Sequence, residues 1–227
     1  MKNILITGSS KGLGKSLALA FAKNGYGIIL HGRDRSRLRT VKKAVLENGV
    51  DCEIVSGDLT SKVTMDKLYE VASKRNIDIL INNAGMYSYK SFGAMNFEES
   101  KKVLDVNLFA PIRLISSIYP IFLENKSGLI ININSVAGKY PNELEAVYCA
   151  SKYGLRGFSD SFRFEANKNG VCVISIYLGA MQTAMAEGKP DYEKLIRPDE
   201  AADLIFKISE NYENLRVSEI NLLRRRY

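Results

Sequence analysis

Short apolar runs alternate with longer amphipathic ones along the whole chain. Runs such as LIININ at 129–134 and VCVISIY at 171–177 are mostly apolar on both alternating faces, a pattern that belongs to strands covered on both sides. Seven strands are expected, at 2–7, 27–31, 52–56, 78–82, 129–134, 171–177 and 217–223. Between them the 3.6-residue period predicts helices at 13–23, 34–47, 61–74, 97–123, 145–167 and 197–211. Leu13, Leu17 and Phe21 share one face of the first, which Asn24-Gly25 closes; Asp34 is placed to cap the second. Pro111 and Pro120 are expected to disturb the long helix at 97–123. This alternation specifies an α/β fold, a doubly wound parallel sheet of about seven strands with helices on both faces. With no linker, repeat or low-complexity stretch, residues 1–227 read as a single domain.

Charge and cysteine content narrow the function classes. Lys and Arg number 32 against 25 Asp and Glu, a net charge of +7 that is spread along the chain. The one dense cluster, Arg224, Arg225 and Arg226, reads as a solvated tail or subunit contact rather than a nucleic-acid site. No apolar run is expected to reach the roughly 18 residues of a membrane span. The segment before Thr7-Gly8 is too short for the apolar core of an export signal. Cys52, Cys149 and Cys172 are scattered without a C-x-x-C pair, and His31 is the only histidine, so no metal site is expected. Scattered thiols suit a reducing compartment, and a cytoplasmic location is expected.

The first strand runs into Thr7-Gly8-Ser9-Ser10-Lys11-Gly12-Leu13-Gly14, and a helix follows at once. Gly8 permits a sharp turn, while Gly12 and Gly14 clear side chains from the path of a pyrophosphate toward the helix N-terminus. A glycine-rich turn without a ligand is the plainer alternative. Further along, Tyr148 and Lys152 stand four residues apart, one turn on the same helical face, and Ser135 ends a strand 13 residues before Tyr148. A phenol is a poor acid or base at neutral pH unless a neighbouring cation stabilises its anion, and Lys152 could supply that charge. Singly, each of these residues reads as ordinary helix or turn chemistry; the ordered set reads as a catalytic group.

Six ordered stretches make the chain resemble the short-chain dehydrogenases/reductases over nearly its whole length. They are Thr7 to Gly14, Asp58-Leu59, Asn82-Asn83-Ala84-Gly85, Asn107, Ser135, and Tyr148-Cys149-Ala150-Ser151-Lys152. The resemblance implies a Rossmann-like sheet and hydride transfer between a nicotinamide dinucleotide and a carbonyl or alcohol. It implies Tyr148 as acid/base, Lys152 on the phenol and the nicotinamide ribose, Ser135 on the substrate oxygen, and Asn107 holding a water linked to Lys152. It implies a cofactor site of Gly8, Ser10, Lys11, Gly12, Leu13, Gly14, Arg33, Asp58, Leu59, Asn83, Ala84, Gly85, Tyr148, Lys152, Gly179, Met181 and Thr183. Asp58 would bond the adenine amino group, or cap the 58–61 turn. The acid that selects NAD aligns with Gly32, so with Arg33 and Lys11 nearby the expected cofactor is NADP(H) and Asp34 is left as a helix cap.

Two departures bear on the substrate. Leu178 stands where the family usually has proline before Gly179, and only 14 residues (184–197, including Pro190) remain for the substrate lid. Met86, Tyr87, Tyr89, Tyr140, Tyr177 and Met181 are candidate pocket walls. The resemblance implies a small-molecule carbonyl or alcohol substrate and a homodimer or homotetramer. A non-catalytic NADP-binding regulator on the same scaffold is the alternative.

Overall fold

The computed structural model describes residues 1–184, 186–188, 191–210 and 217–224. Its strands are β1 (Asn3–Ile6), β2 (Gly27–Gly32), β3 (Cys52–Ser56), β4 (Ile79–Asn82), β5 (Gly128–Ser135), β6 (Val171–Leu178) and β7 (Glu219–Leu222). They form one parallel sheet in the order β3-β2-β1-β4-β5-β6-β7. The helices are α1 (Gly12–Lys23), α2 (Arg35–Leu46), α3 (Lys62–Lys74), α4 (Phe97–Leu104), α5 (Ala110–Asn125), α6 (Ala146–Lys168) and α7 (Pro198–Ser209). The expected seven-stranded α/β architecture is present. The last strand is shorter than expected; residue 211, Pro190, Arg225 and Arg226 lie outside the described residues.

Alternation along each strand divides the core in two. Ile4, Ile6, Ile28, Leu30, Ile79 and Ile131 pack against α1, α2 and α7. Leu5, Ile29, Leu80, Ile130 and Val173 face α3, α5 and part of α6. The inner strands are therefore apolar on both sides because each side has a helix to bury, whereas edge strand β7 exposes Glu219 and Asn221. Strand order reverses between β1 and β4, so the helices that follow these two strands pack on opposite faces of the sheet.

The long helix expected at 97–123 is interrupted by a π-turn that ends just before Pro111. Residues Asp105–Phe109 form a π-turn in which Ala110 N–H donates to the Asp105 carbonyl. Pro111 lies in the first turn of α5, where its missing N–H costs nothing, and Pro120 is accommodated within that helix. Against expectation, the run Phe97–Asn125 is long and apolar enough by length and composition to cross a membrane. Here its apolar side covers the sheet: Leu114, Ile118, Ile121 and Phe122 pack on Leu80 and Ile130.

Candidate active site

Three glycine positions shape the loop after β1. Gly8 and Gly12 have φ of 66° and 54°, a left-handed backbone that other residues rarely adopt. A Cβ on Gly8 would stand 2.8 Å from the Ala84 Cα, and one on Gly14 would stand 2.3 Å from the Gly8 carbonyl oxygen. The loop is pinned to the strand beside it: Asn83 Nδ2 donates to the carbonyls of Thr7 (2.9 Å) and Gly8 (3.1 Å). Thr7 Oγ1 in turn accepts from the N–H groups of Asn83 and Ala84, both at 3.0 Å. The N-terminus of α1 has no side-chain cap at Lys11 and no acidic residue in its first turn. Buried Leu13 faces the core from that turn and half-buried Ser10 precedes it. Thr183 reaches over the loop, its Cγ2 3.2 Å from where a Gly12 Cβ would be. A bare, positively polarised helix end behind a side-chain-free turn fits a pyrophosphate.

At the end of β2, Arg33 and Lys11 are exposed. Asp34 is engaged locally: its carboxylate accepts from Arg37 N–H at 3.0 Å and pairs with Arg37 Nε at 3.1 Å, capping α2. Gly32 presents no side chain, and a Cβ there would stand 3.3 Å from the Ser10 side chain. Asp58 Oδ1 accepts from Thr60 N–H (2.8 Å) and Thr60 Oγ1 (2.7 Å). These bonds, with a smaller contribution from Arg33, hold its carboxyl below the usual range. It thus builds a tight turn, while the helix N-cap position falls on Ser61 rather than on Asp58. Leu59 is buried in the core beside Val55 and Met65.

The reacting end lies at the carboxyl ends of β4 and β5. Tyr148, half-buried on the first turn of α6, stands near the Ser135 hydroxyl, which itself accepts from Ala137 N–H at 3.2 Å. Burial raises the phenol pKa, the Ser135 hydroxyl draws it down, and the Glu145 charge raises it again. Lys152 lies one turn further along, 6% exposed; its Nζ donates to the Ile133 carbonyl at 3.1 Å and sits 6.0 Å from the Tyr148 ring centroid. Burial draws its pKa down to about 8.

Asn107 lies within the π-turn. Its buried side chain is taken up with protein: Oδ1 accepts from Met86 N–H at 2.8 Å, and Nδ2 donates to Met86 O at 2.9 Å and Ser151 Oγ at 3.1 Å. It anchors the loop after β4 to α6 from within the π-turn, and Gly85 passes close enough that a Cβ would stand 3.4 Å from Asn107 Oδ1.

Two positioning groups escaped sequence reasoning. Asn134 Oδ1 accepts from Ser135 N–H at 2.8 Å while its Nδ2 donates to the Lys152 carbonyl at 3.2 Å, joining two catalytic candidates through one buried side chain. A polar residue inside an otherwise apolar strand was the available signal. Glu145, three residues before Tyr148, accepts from Tyr87 Oη at 2.5 Å and from Asn142 Nδ2 at 3.1 Å.

The expected pocket walls divide. Tyr87 meets Tyr148 edge-on at 5.1 Å and stacks on exposed Tyr89 at 6.4 Å. Met86 is half-buried in the same loop, and Tyr140 is exposed. Tyr177 is no pocket wall: it is fully buried, with the Lys139 ammonium 4.1 Å from its ring centroid. Beyond β6, Gly179 N–H donates to the Leu222 carbonyl at 2.9 Å, and buried Met181 bridges to Ile196. Gln182 N–H donates to Ile196 O at 2.9 Å, so the base of the lid segment is laced shut.

Residues 2–194 match the family model described as short chain dehydrogenase. An uncharacterised oxidoreductase of Staphylococcus saprophyticus is 31% identical, the match covering 97% of this chain and 96% of that protein. The fatty acyl-CoA reductase of Acinetobacter baylyi is 33% identical over 90% of this chain and 71% of its own length. Among solved structures, a metagenomic short-chain oxidoreductase in complex with NADP superposes with a TM-score of 0.88 at 28% identity, covering 100% of this chain and 98% of that one. The alcohol dehydrogenase of Thermococcus sibiricus, complexed with 5-hydroxy-NADP, gives 0.91 at 25% identity with full coverage of both chains.

Proposed function

Because the chain belongs to the short-chain dehydrogenase family, we propose that it is an NADP(H)-dependent oxidoreductase that reduces a small-molecule carbonyl, with Tyr148 as the proton donor. The observation that carries this reading is the grouping of Tyr148, Ser135 and Lys152: a half-buried phenol beside a hydroxyl that lowers its pKa, with a buried ammonium 6.0 Å from its ring. All three lie at the same sheet edge as the glycine loop, which favours an enzyme over a non-catalytic regulator on this scaffold.

The dinucleotide, when bound, supplies the hydride that the carbonyl carbon receives. Gly8, Ser10, Lys11, Gly12, Leu13, Gly14 and Thr183 would hold its diphosphate. Asp58, Leu59, Asn83, Ala84 and Gly85 would flank the adenosine and ribose; Gly179 and Met181 would meet the carboxamide. Arg33 and Lys11 favour a 2′-phosphate, and the commitment of Asp34 to its own helix removes the nearest acid from competition for a 2′-hydroxyl.

The chain's own residues then manage the proton. Ser135 offers the substrate oxygen a hydrogen bond, and Tyr148 passes it the phenolic proton. Lys152 stabilises the resulting phenolate across the short gap to the ring. Asn107 acts as an anchor, holding Met86 and Ser151 so that the loop after β4 and the catalytic turn of α6 keep their spacing. The short lid suits broad carbonyl acceptance.

One continuous sheet supports reading residues 1–227 as one domain. Exposed Phe97, Phe109 and Phe164 on and between α4 and α6 support a homodimer or homotetramer, which light scattering would measure. Three free thiols support a cytoplasmic location. The direct test is NADPH oxidation against a mixed carbonyl panel, with NADH alongside. Turnover with NADPH preferred is expected; no oxidation across the panel despite NADPH binding would return the protein to the regulatory reading.

A further inference from the structure

Near Tyr148 stands a carboxylate that forms no ion pair among the described residues. Glu145 stands three residues before Tyr148, one turn away on the same face. Its oxygens accept from neutral groups, Tyr87 Oη and Asn142 Nδ2. Lys90 and Lys139 are paired with other carboxylates, Glu99 at 2.9 Å and Glu219 at 2.6 Å. The Lys152 ammonium is turned inward to the Ile133 carbonyl. The carboxylate is also held in place. Lys90 N–H donates to the Leu144 carbonyl at 2.8 Å, clamping the Tyr87–Tyr89 loop onto the residue before Glu145. Tyr87 bridges the two, its hydroxyl on Glu145 and its ring edge-on to Tyr148. Tyr87 thus sets the carboxylate one side chain away from the phenol on which a substrate carbonyl would seat.

We propose that Glu145, fixed by Tyr87, is the specificity-determining group of the carbonyl site, selecting uncharged or cationic carbonyl compounds against those with a carboxylate next to the reacting carbonyl. This rests on the hydride-transfer reading above. A second anion would meet Glu145 in a half-buried, poorly screened setting, whereas hydroxyl or ammonium donors would find free lone pairs on its oxygens. Glu145 occupies the N-cap position of α6 without bonding the helix backbone through its side chain, so substitution there removes no cap bond.

The test compares kcat/KM for methyl acetoacetate, acetoacetate and (trimethylammonio)acetone in the native protein, Glu145→Gln and Tyr87→Phe. The native enzyme should prefer the ester and the cationic ketone to acetoacetate by about tenfold or more, as like charges a few ångströms apart at a partly buried site demand. Glu145→Gln should shrink both ratios about fivefold or more, and Tyr87→Phe, which loosens the carboxylate but keeps its charge, should shrink them less. Equal use of acetoacetate and ester by the native enzyme would overturn the proposal without needing any variant to fold. So would ratios unchanged in Glu145→Gln, or reduced further in Tyr87→Phe than in Glu145→Gln. Either result leaves carbonyl reduction standing, whereas no NADPH oxidation with any carbonyl, on this set or a broad panel, removes both readings together.

Discussion

The Lys152 ammonium lies 6.0 Å from the centroid of the Tyr148 ring, on the buried side of the helix that carries both. Burial depresses its pKa from 10.5 to about 8, so the folded chain holds this proton less tightly than the unfolded one. Below about pH 8 both states are protonated and the burial cost is present in full. Between about 8 and 10.5 the unfolded chain binds more protons, and stability rises with pH. The native protein should therefore gain about 3 kcal/mol relative to Lys152→Met between pH 7 and 10.5. Denaturant unfolding across that range measures it, and parallel curves for the two proteins would contradict the buried-ammonium picture.

Tyr148→Phe retains the ring that meets Tyr87 edge-on and removes only the phenolic hydroxyl. NADPH affinity should persist while kcat falls about 10²–10⁴-fold, the scale of a lost general acid. Fluorescence titration and steady-state rates separate the two; retained turnover would remove the phenol from the mechanism.

Two neighbouring residues at the end of β2 should respond differently. Arg33→Asp should raise KM for NADPH about tenfold or more and leave NADH little changed, as loss of a charge-assisted phosphate contact requires. Asp34→Ala should cost about 1 kcal/mol through loss of the bond to Arg37 N–H, with cofactor preference unaltered. A preference that follows Asp34 instead would mean that this acid reaches the ribose.

Asn107→Ala strips partners from both the N–H and the carbonyl of Met86. Stability should fall by about 2 kcal/mol, with kcat falling more than NADPH affinity as the loop after β4 loosens. Thermal melting paired with kinetics checks this, and a melt unchanged from the native protein would show that the anchor is dispensable.

Strand count, helix order and the sheet's two covered faces were legible in the chain because hydrophobic period alone decides them. The break at Asp105–Phe109 was not. Nothing in DVNLF interrupts an α-helical pattern, and the prolines that do, Pro111 and Pro120, sit where the helix absorbs them. Ser135, Tyr148 and Lys152 could be picked out by spacing. The links around them depend on cross-strand register and helix docking, which spacing does not encode. Asn134 joins Ser135 to Lys152 only because β5 passes under α6, and Glu145 meets Tyr87 across 58 residues of chain. Tyr177 was misplaced for the same reason: its strand position turns it to the interior beneath Lys139.

The π-turn between α4 and α5 amounts to one surplus residue in an otherwise continuous rod. Deleting a single residue from 105–109 would let the ordinary ladder close and would swing one flank by about 100° relative to the other. Asn107 would then rotate away from Met86 and Ser151. The shortened protein would own a smoother helix and a slack hinge over its reaction centre, so the irregularity is a spacer that trades local regularity for alignment at a distance.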